Sequence, residues 1–296
     1  MSELIIEKFD GSKQFIWDPS SWEALTRCPR FYKLRVLEGY RWPSDGPAIS
    51  WGKLFHSSLE AFDKARFQGD SWDEAVRAAI KEALMGRDAL ADSSDNTRTI
   101  DTLTRAVVWY AIQFRDDALK LASMPDGDPA IEVRFEVPIP GTDYRLSGRM
   151  DKLAHLSDEL YIVERKTTKQ TLNDHYFSYY NPNTQVEAYI WAVRRGLSMP
   201  ISGLILEACQ TMVSGCRFGR TRIDKTDEQL DEFERDLRYY INQAEAFAKE
   251  DYWPMNRSSC GNYGGCEFRR VCSRSPTIRH HWLSDMDKRP YGTRKT

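Results

Sequence analysis

Two stretches constrain this chain more than any others: Gly148-Arg149-Met150-Asp151 and Tyr161-Ile162-Val163-Glu164-Arg165-Lys166. Both have the character of strands, and Leu156 to Glu159 between them reads as the turn of an antiparallel hairpin. Side chains alternate faces along a strand, so Glu164 and Lys166 share a side with Leu160 and Ile162, while Arg165 points the other way. A hairpin brings Asp151, near the end of its own strand, alongside them. Two carboxylates and an ammonium at the end of a sheet suit a hard cation such as Mg²⁺, which prefers oxygen ligands. They also suit the handling of charge on water or phosphate. The same residue types occur in ordinary solvated hairpins, so the triplet alone does not separate a site from a surface ion pair.

The rest of the chain supplies context. Its 296 residues suit one domain. Three consecutive parts are expected within it: a helical segment 1–125, a core 126–250 and a cysteine-rich tail 251–296. With 41% hydrophobic and 29% charged residues it is neither disordered nor fibrous. No apolar run approaches the roughly 20 residues that span a bilayer. Met1 to Asp10 lacks the basic start and apolar core of a signal peptide, so a cytoplasmic protein without a membrane partner is expected. A net charge of −2 neither announces nor excludes nucleic acid. Arg27, Arg30, Lys33 and Arg35 form one basic concentration, and Arg269, Arg270, Arg274 and Arg279 another; each reads as a solvated face or as a set of phosphate contacts.

In chain order, Ser20 to Gly39 has helical periodicity, with Ser20 or Ser21 as cap and a break at Pro29. A loop follows from Arg41 to Ile49, containing Pro43, Gly46 and Pro47. A second helix runs from Trp51 to Phe67, with Leu54, Phe55, Leu59 and Phe62 on one stripe and His56 beside it. Ser71-Trp72-Asp73-Glu74 has capping-box spacing and opens a third helix. After a polar loop at Asp92 to Asn96, a fourth occupies Thr99 to Ala122. The pattern then changes to period two: Ile131, Val133, Phe135, Val137 and Ile139 alternate with polar residues. Pro140-Gly141 turns this strand into Tyr144 to Leu153, and the strand bearing Glu164 completes a three-strand meander. A Tyr- and Asn-rich loop, Asp174 to Asn183, leads to a helix through Arg195 capped by Thr184 and Glu187, on which Gln185 and Tyr189 share a face. Ser202 to Met212 reads as a buried strand parallel to its neighbour, because a helix precedes it. Arg217 to Ile223 is a further strand, and Thr226 caps a last long helix. The fold class expected is α/β or α+β, with a mixed central sheet.

Cys260, Cys266 and Cys272 lie six residues apart, with Gly261, Gly264 and Gly265 between the first two. Packing alone does not explain three thiols in so short a loop, and metal binding does. A fourth ligand is required for tetrahedral zinc or a cuboidal iron–sulfur cluster. Cys28 is one source; His280 and His281 are rivals that would favour zinc. Cys209 and Cys216 read as structural thiols.

Together these residues resemble the PD-(D/E)XK nuclease superfamily, and within it RecB-like exonucleases with an iron–sulfur staple, such as the CRISPR-associated RecB-like and AddB-like nucleases and their phage relatives. The resemblance covers Cys28 to Cys272. It rests on Gly52-Lys53-Leu54-Phe55-His56 with Leu59, on Gly148 to Asp151, on Glu164-Arg165-Lys166-Thr167 and on Gln185 with Tyr189, in that order. It implies a restriction-endonuclease-like core. His56, Asp151 and Glu164, with the carbonyl of Arg165, would hold Mg²⁺ or Mn²⁺. Lys166 would be the catalytic lysine, with Gln185 and Tyr189 orienting the site or touching DNA. It also implies a supporting acid on the first core strand, Glu132 ahead of Glu136. Cys28, Cys260, Cys266 and Cys272 would carry a 4Fe-4S cluster, zinc being the lesser alternative, that clamps the N-terminal helices to the core. Many relatives space the first two late cysteines more closely than Cys260 and Cys266.

The function so implied is a metal-dependent DNA exonuclease, acting on single strands or ends in recombination, repair or phage DNA metabolism, with a helicase, recombination or CRISPR partner. Tyr176, Phe177, Tyr179 and Tyr180 would either stack bases or pack in the core. The alternative function is an inactive DNA-binding or recombination accessory module with a structural metal cluster. A zinc-stapled interaction protein is a third.

Overall fold

The structure, a computed structural model, describes residues 16–42, 46–91 and 94–289. The expectations for Met1 to Asp10, for Pro43 and for the start of the polar loop at Asp92 lie outside them. The strands are β1 (Ile16–Trp17), β2 (Tyr40–Arg41), β3 (Leu119–Leu121), β4 (Ile131–Pro138), β5 (Arg145–Leu156), β6 (Glu159–Thr168), β7 (Gly203–Thr211), β8 (Cys216–Ile223) and β9 (Asp287–Lys288). The α-helices are α1 (Pro19–Arg27), α2 (Pro29–Tyr32), α3 (Pro47–Phe67), α4 (Trp72–Met85), α5 (Ile100–Gln113), α6 (Asp174–Ser178), α7 (Thr184–Trp191), α8 (Asp227–Lys249), α9 (Arg269–Cys272) and α10 (Arg279–Leu283). This is the expected mixed α/β class. The chain forms two compact units interleaved in sequence: 1–44, 135–148 and 227–296 in one, 45–134 and 149–226 in the other. The three parts expected from the sequence are, by contrast, consecutive.

In the second unit β6 lies between β5, antiparallel to it, and β7, parallel to it. Strand β8 adds antiparallel to β7, and β3 antiparallel to the end of β5. The parallel β6–β7 pair follows from the helix between them, since a crossover must return the chain to the same end of the sheet. All nine residues of β7 are buried, as expected for a strand covered on both faces. Trp51, Phe55 and Leu59, four residues apart along α3, are at most 2% exposed and pack with Leu103, Val107 and Tyr110 of α5. Each such side chain contributes about 1.5–3 kcal/mol by leaving water, which fixes α3 as a rigid carrier for whatever its other face presents.

The first unit joins distant stretches of chain. Trp22 of α1 stacks on Phe233 of α8 with centroids 5.1 Å apart, and Phe31 meets Phe268 edge-on at 5.5 Å. Strand β2 pairs antiparallel with β9. Gly39, at φ +75°, makes the close approach there: a Cβ would lie 2.0 Å from the carbonyl oxygen of Arg289.

Several local expectations are corrected. The cap of α1 is Asp18, not Ser20 or Ser21; Ser21 is its reciprocal partner, donating its N–H to Asp18 Oδ1 at 2.7 Å. Helix α3 begins at Pro47, a residue suited to a first turn because its missing N–H would be unpaired there anyway. The helix expected to reach Ala122 stops at Gln113. Asp117 Oδ1 then accepts the Leu119 N–H at 3.2 Å and the chain enters β3, where pairing with β5 outweighs helical periodicity. Asn183 rather than Thr184 caps α7, accepting the N–H groups of Gln185 and Val186.

Candidate active site

The site is built at a fork. Pairing between β5 and β6 runs from Leu156–Glu159 up to Lys152–Val163. Past that point the Arg165 N–H donates to the side chain of Asp151, at 2.7 Å from Oδ2. Strands that part in this way leave room between side chains that would otherwise touch, and Asp151, Glu164 and Lys166 stand at the opening.

Each group there is held by neighbours. Asp151 Oδ1 lies 3.1 Å from His56 Nδ1. An Nδ1–H that donates to Asp151 leaves Nε2 with the lone pair. Glu164 Oε1 accepts from Lys166 Nζ at 2.7 Å and from Gln185 Nε2 at 2.9 Å. Lys166 Nζ also donates to Gln185 Oε1 at 2.6 Å, so one amide spans acid and lysine. Gln185 Nε2 further donates to Tyr189 Oη at 3.0 Å, and the Tyr189 hydroxyl donates to the Arg149 carbonyl at 2.8 Å. The i, i+4 spacing on α7 thus ties the helix to both strands of the fork.

The two carboxyls titrate in opposite directions. Burial raises Asp151, but His56 and then Arg165 outweigh it and bring the group down to about 2. Burial pushes Glu164 up to about 7 despite Lys166, with Asp151 adding to the rise. Burial would lower Lys166, yet Glu164 raises it above its ordinary value. Glu164 Oε2 is buried with no hydrogen-bond partner among the described residues. A buried carboxylate oxygen of this kind, next to a second carboxylate and an imidazole, has the donor chemistry of a divalent-cation site. Among the described residues, however, no three His, Cys, Asp or Glu side chains are gathered closely enough to hold a metal ion.

The opposite face of the fork carries a buried charged layer that sequence reasoning missed. Asp63, two helical turns beyond His56 on α3, accepts from Lys152 Nζ at 3.2 Å and from Arg165 Nη2 at 2.6 Å. Glu207 of β7 accepts from Arg165 Nε at 3.2 Å, from the Tyr110 hydroxyl at 3.0 Å and from Arg220. Burial raises Asp63 and Glu207, but the cations outweigh it and hold both below the usual carboxylate range. A signal existed: an acid inside Leu204-Ile205-Leu206-Glu207-Ala208 cannot be buried without a partner.

Of the two acids considered for a supporting role, Glu132 stands with these residues. It pairs with Arg149 Nη1 at 2.7 Å, and its carboxyl is raised by burial, against the pull of Arg149, with Asp151 adding. It also adopts φ +52°, costly for a side chain with a Cβ. Glu136 belongs to the other unit, where it pairs with Arg145 at 2.6 Å. In the aromatic loop, Tyr176 is buried and bonded to Tyr180 at 3.1 Å, and the Tyr180 hydroxyl helps to raise Lys166. Phe177 lies against Gly219. Tyr179 is 59% exposed, edge-on to His175.

All four candidate cluster thiols are in the first unit and none is in a disulfide. The Asn256 N–H donates to Cys28 Sγ at 3.3 Å, and the Cys266 N–H to the Cys260 carbonyl at 3.0 Å. Burial raises Cys266 and Cys272; Arg27 opposes this at Cys266, Arg30 and Arg279 at Cys272, and Cys28 adds to the rise at both. The four cysteines expected to form a clamp between the N-terminal helices and the core thus lie in one unit. His280 and His281 are exposed and lie against each other. Cys209 and Cys216 are buried on adjoining strands, as expected of structural thiols.

A mixed α/β fold whose sheet forks at an aspartate, and whose next strand carries an acid and a lysine two residues apart, defines a class of nucleases. The chain belongs to the PD-(D/E)XK nuclease superfamily, whose family model matches residues 17–273. No curated protein matches it. A solved structure of a candidate exonuclease from Eubacterium rectale aligns over 93% of this chain and 94% of its own at 10% identity, with a TM-score of 0.56. That likeness shows a shared fold. A second solved structure, SSO0001, covers 78% of this chain at 14% identity with a TM-score of 0.32, too low to carry an argument. Among the described residues no helix is long and apolar enough to cross a membrane.

Proposed function

We propose that this protein is a divalent-cation-dependent deoxyribonuclease that shortens DNA from single strands or ends. The observation that carries the reading is the unpartnered buried oxygen of Glu164, beside Asp151, His56 and an immobilised Lys166. Asp151, Glu164 and His56, with the Arg165 carbonyl, are the residues that would hold Mg²⁺ or Mn²⁺. Such an ion, when bound, lowers the pKa of a water and polarises a phosphoryl oxygen. Lys166 supplies positive charge where negative charge develops on phosphate. Gln185 fixes the lysine and Glu164 relative to each other, and Tyr189 fixes Gln185. Exposed Tyr179, with His175, offers a face for base stacking, worth about 1–3 kcal/mol per base.

The same reading has Cys28, Cys260, Cys266 and Cys272 carrying a structural metal cluster, iron–sulfur ahead of zinc. In its support, Cys266 and Cys272 both feel Cys28, and Arg27, Arg30 and Arg279 would offset the negative charge of a thiolate-ligated cluster. Iron content and visible absorbance of anaerobically purified protein test this part.

The test of activity is digestion of end-labelled single- and double-stranded DNA with Mg²⁺ or Mn²⁺, comparing wild type with Asp151→Ala and Lys166→Ala. Shortening by wild type alone supports the assignment and gives the polarity. Three inert proteins that still bind DNA would indicate an accessory module, and equal activity in all three a misplaced site.

A further inference from the structure

Beyond the last paired residues, Lys152 and Val163, nothing in the sheet ladder holds β5 and β6 at a fixed separation. Besides the Gln185–Tyr189 link through α7, two contacts cross the gap. One is on the site face, where the Arg165 N–H reaches Asp151. The other is on the opposite face, where Asp63 bridges Lys152, which follows Asp151 on β5, and Arg165, which precedes Lys166 on β6. Lys152 and Arg165 are 7% and 3% exposed, and Asp63 is 8% exposed, so the bridge is almost out of water. Two buried cations on neighbouring strands repel each other unless an anion lies between them. Glu207 attracts Lys152 through space as well as Arg165, but its hydrogen bonds go to Arg165, Tyr110 and Arg220, so it makes none to β5.

We propose that Asp63 is a positioning residue that sets the width of the fork, and through it the spacing of Asp151 and Glu164 on which cation affinity depends. This inference rests on the cation-dependent reading above. One helix then serves the site twice. His56 holds Asp151 directly, and Asp63, seven residues on and on the same side of α3, holds the backbone that carries Asp151, Glu164 and Lys166. Without the Asp63 charge, Lys152 and Arg165 move apart, the fork widens, and the spacing of Asp151 and Glu164 changes with it.

The test is Mn²⁺ affinity of the full chain at neutral pH, read from the free-Mn²⁺ resonance, with a thermal melt to establish folding. Asp63→Asn and Glu207→Gln each remove one buried anion beside Arg165, but only the first cuts the bridge between strands. Asp63→Asn is expected to weaken Mn²⁺ binding by about ten-fold or more, the scale for residues that orient metal ligands. Glu207→Gln is expected to lower the melting temperature and leave affinity within about two-fold. Lys152→Met removes one of the two repelling cations, so adding it to Asp63→Asn is expected to return Mn²⁺ affinity to within about two-fold of wild type. The double variant, which leaves no unpaired pair of buried cations, decides the matter if Asp63→Asn alone does not fold. Equal losses in Asp63→Asn and Glu207→Gln would reduce Asp63 to a stability role, as would no recovery of affinity in the folded double variant. Wild-type protein that binds no Mn²⁺ would overturn the cation-dependent reading itself, and this inference with it.

Discussion

The two candidate metal centres are assembled in different ways. Around Asp151, Glu164 and Lys166 the bare chain already supplies a hydrogen-bond partner to most polar atoms, from α3, α7 and the opposite face of the fork. Around Cys28, Cys260, Cys266 and Cys272 it supplies a docked loop and arginines, and burial raises two of the thiols. The polar groups of the first are fixed by contacts within the chain and leave one buried carboxylate oxygen of Glu164 without a hydrogen-bond partner. In the proposed reading, the thiols of the second would be drawn together by the group they bind. Preorganisation is what catalysis requires, because groups fixed beforehand need no reorganisation during reaction; metal-driven ordering is what a structural staple requires.

The comparison is broken most severely at the thiols. Cys266→Ser is expected to remove the visible absorbance and nearly all the iron, and to leave the first unit poorly folded, since metal-site binding energy is there folding energy; absorbance, metal analysis and limited proteolysis check it. A full iron complement and unchanged proteolysis would mean that the staple is not where we place it.

At the fork the expected loss is of rate rather than structure. Lys166→Met should reduce DNA hydrolysis by about 100-fold or more while the melting temperature stays near wild type, as single-turnover digestion and calorimetry would show. A large fall in melting temperature together with retained activity would reverse the contrast between the two centres.

The pH dependence of the cation-free protein sharpens the comparison further. Glu164 is raised from 4.5 to about 7 in the folded state, so that state binds the extra proton between those values. Its burial therefore carries no charge penalty below about pH 4.5, costs progressively more as pH climbs from there to about 7, and changes little above. In EDTA, wild type should lose up to about 3 kcal/mol relative to Glu164→Gln between pH 4.5 and 7. Urea titrations across that range measure it, and parallel curves for the two proteins would mean that Glu164 ionises normally. Asp151, depressed to about 2, has the opposite sign: its contribution is present above about pH 4 and fades only as pH falls towards 2.

The smallest expected effect is that of Tyr189→Phe. Losing the hydroxyl frees one contact of Gln185 and unpairs the Arg149 carbonyl, which should cost about 1 kcal/mol and slow digestion a few-fold. Unchanged kinetics would show that Lys166 and Glu164 alone keep Gln185 in place.

Much of this site was legible in the sequence because its signals are local. Period-two alternation placed Glu164 and Lys166 on one face; i, i+4 spacing placed Gln185 above Tyr189; an Asp following Gly148 by three residues marked the partner strand. The observed caps of α1 and α7 lie within one to three residues of the expected ones, because Asp18 competes with Ser20 and Ser21, and Asn183 with Thr184, for the same backbone groups. The helix expected to run on to Ala122 failed for a different reason, since the pairing of Leu119 with Leu156 spans 37 residues and no local pattern reports it.

Sequence alone thus determined which residues alternate, where most helices lie to within a few residues, and which side chains are chemically able to serve a nuclease of the PD-(D/E)XK superfamily. Only the tertiary structure decided that β5 and β6 part at Lys152 and that Asp63 bridges the gap. It alone showed that burial lifts Glu164 while His56 and Arg165 lower Asp151. The reason is physical. Periodicity is a property of neighbouring residues, whereas desolvation and charge pairing depend on what the fold brings near from 42, 89 or 102 residues away, as with Arg165–Glu207, Lys152–Asp63 and Arg165–Asp63.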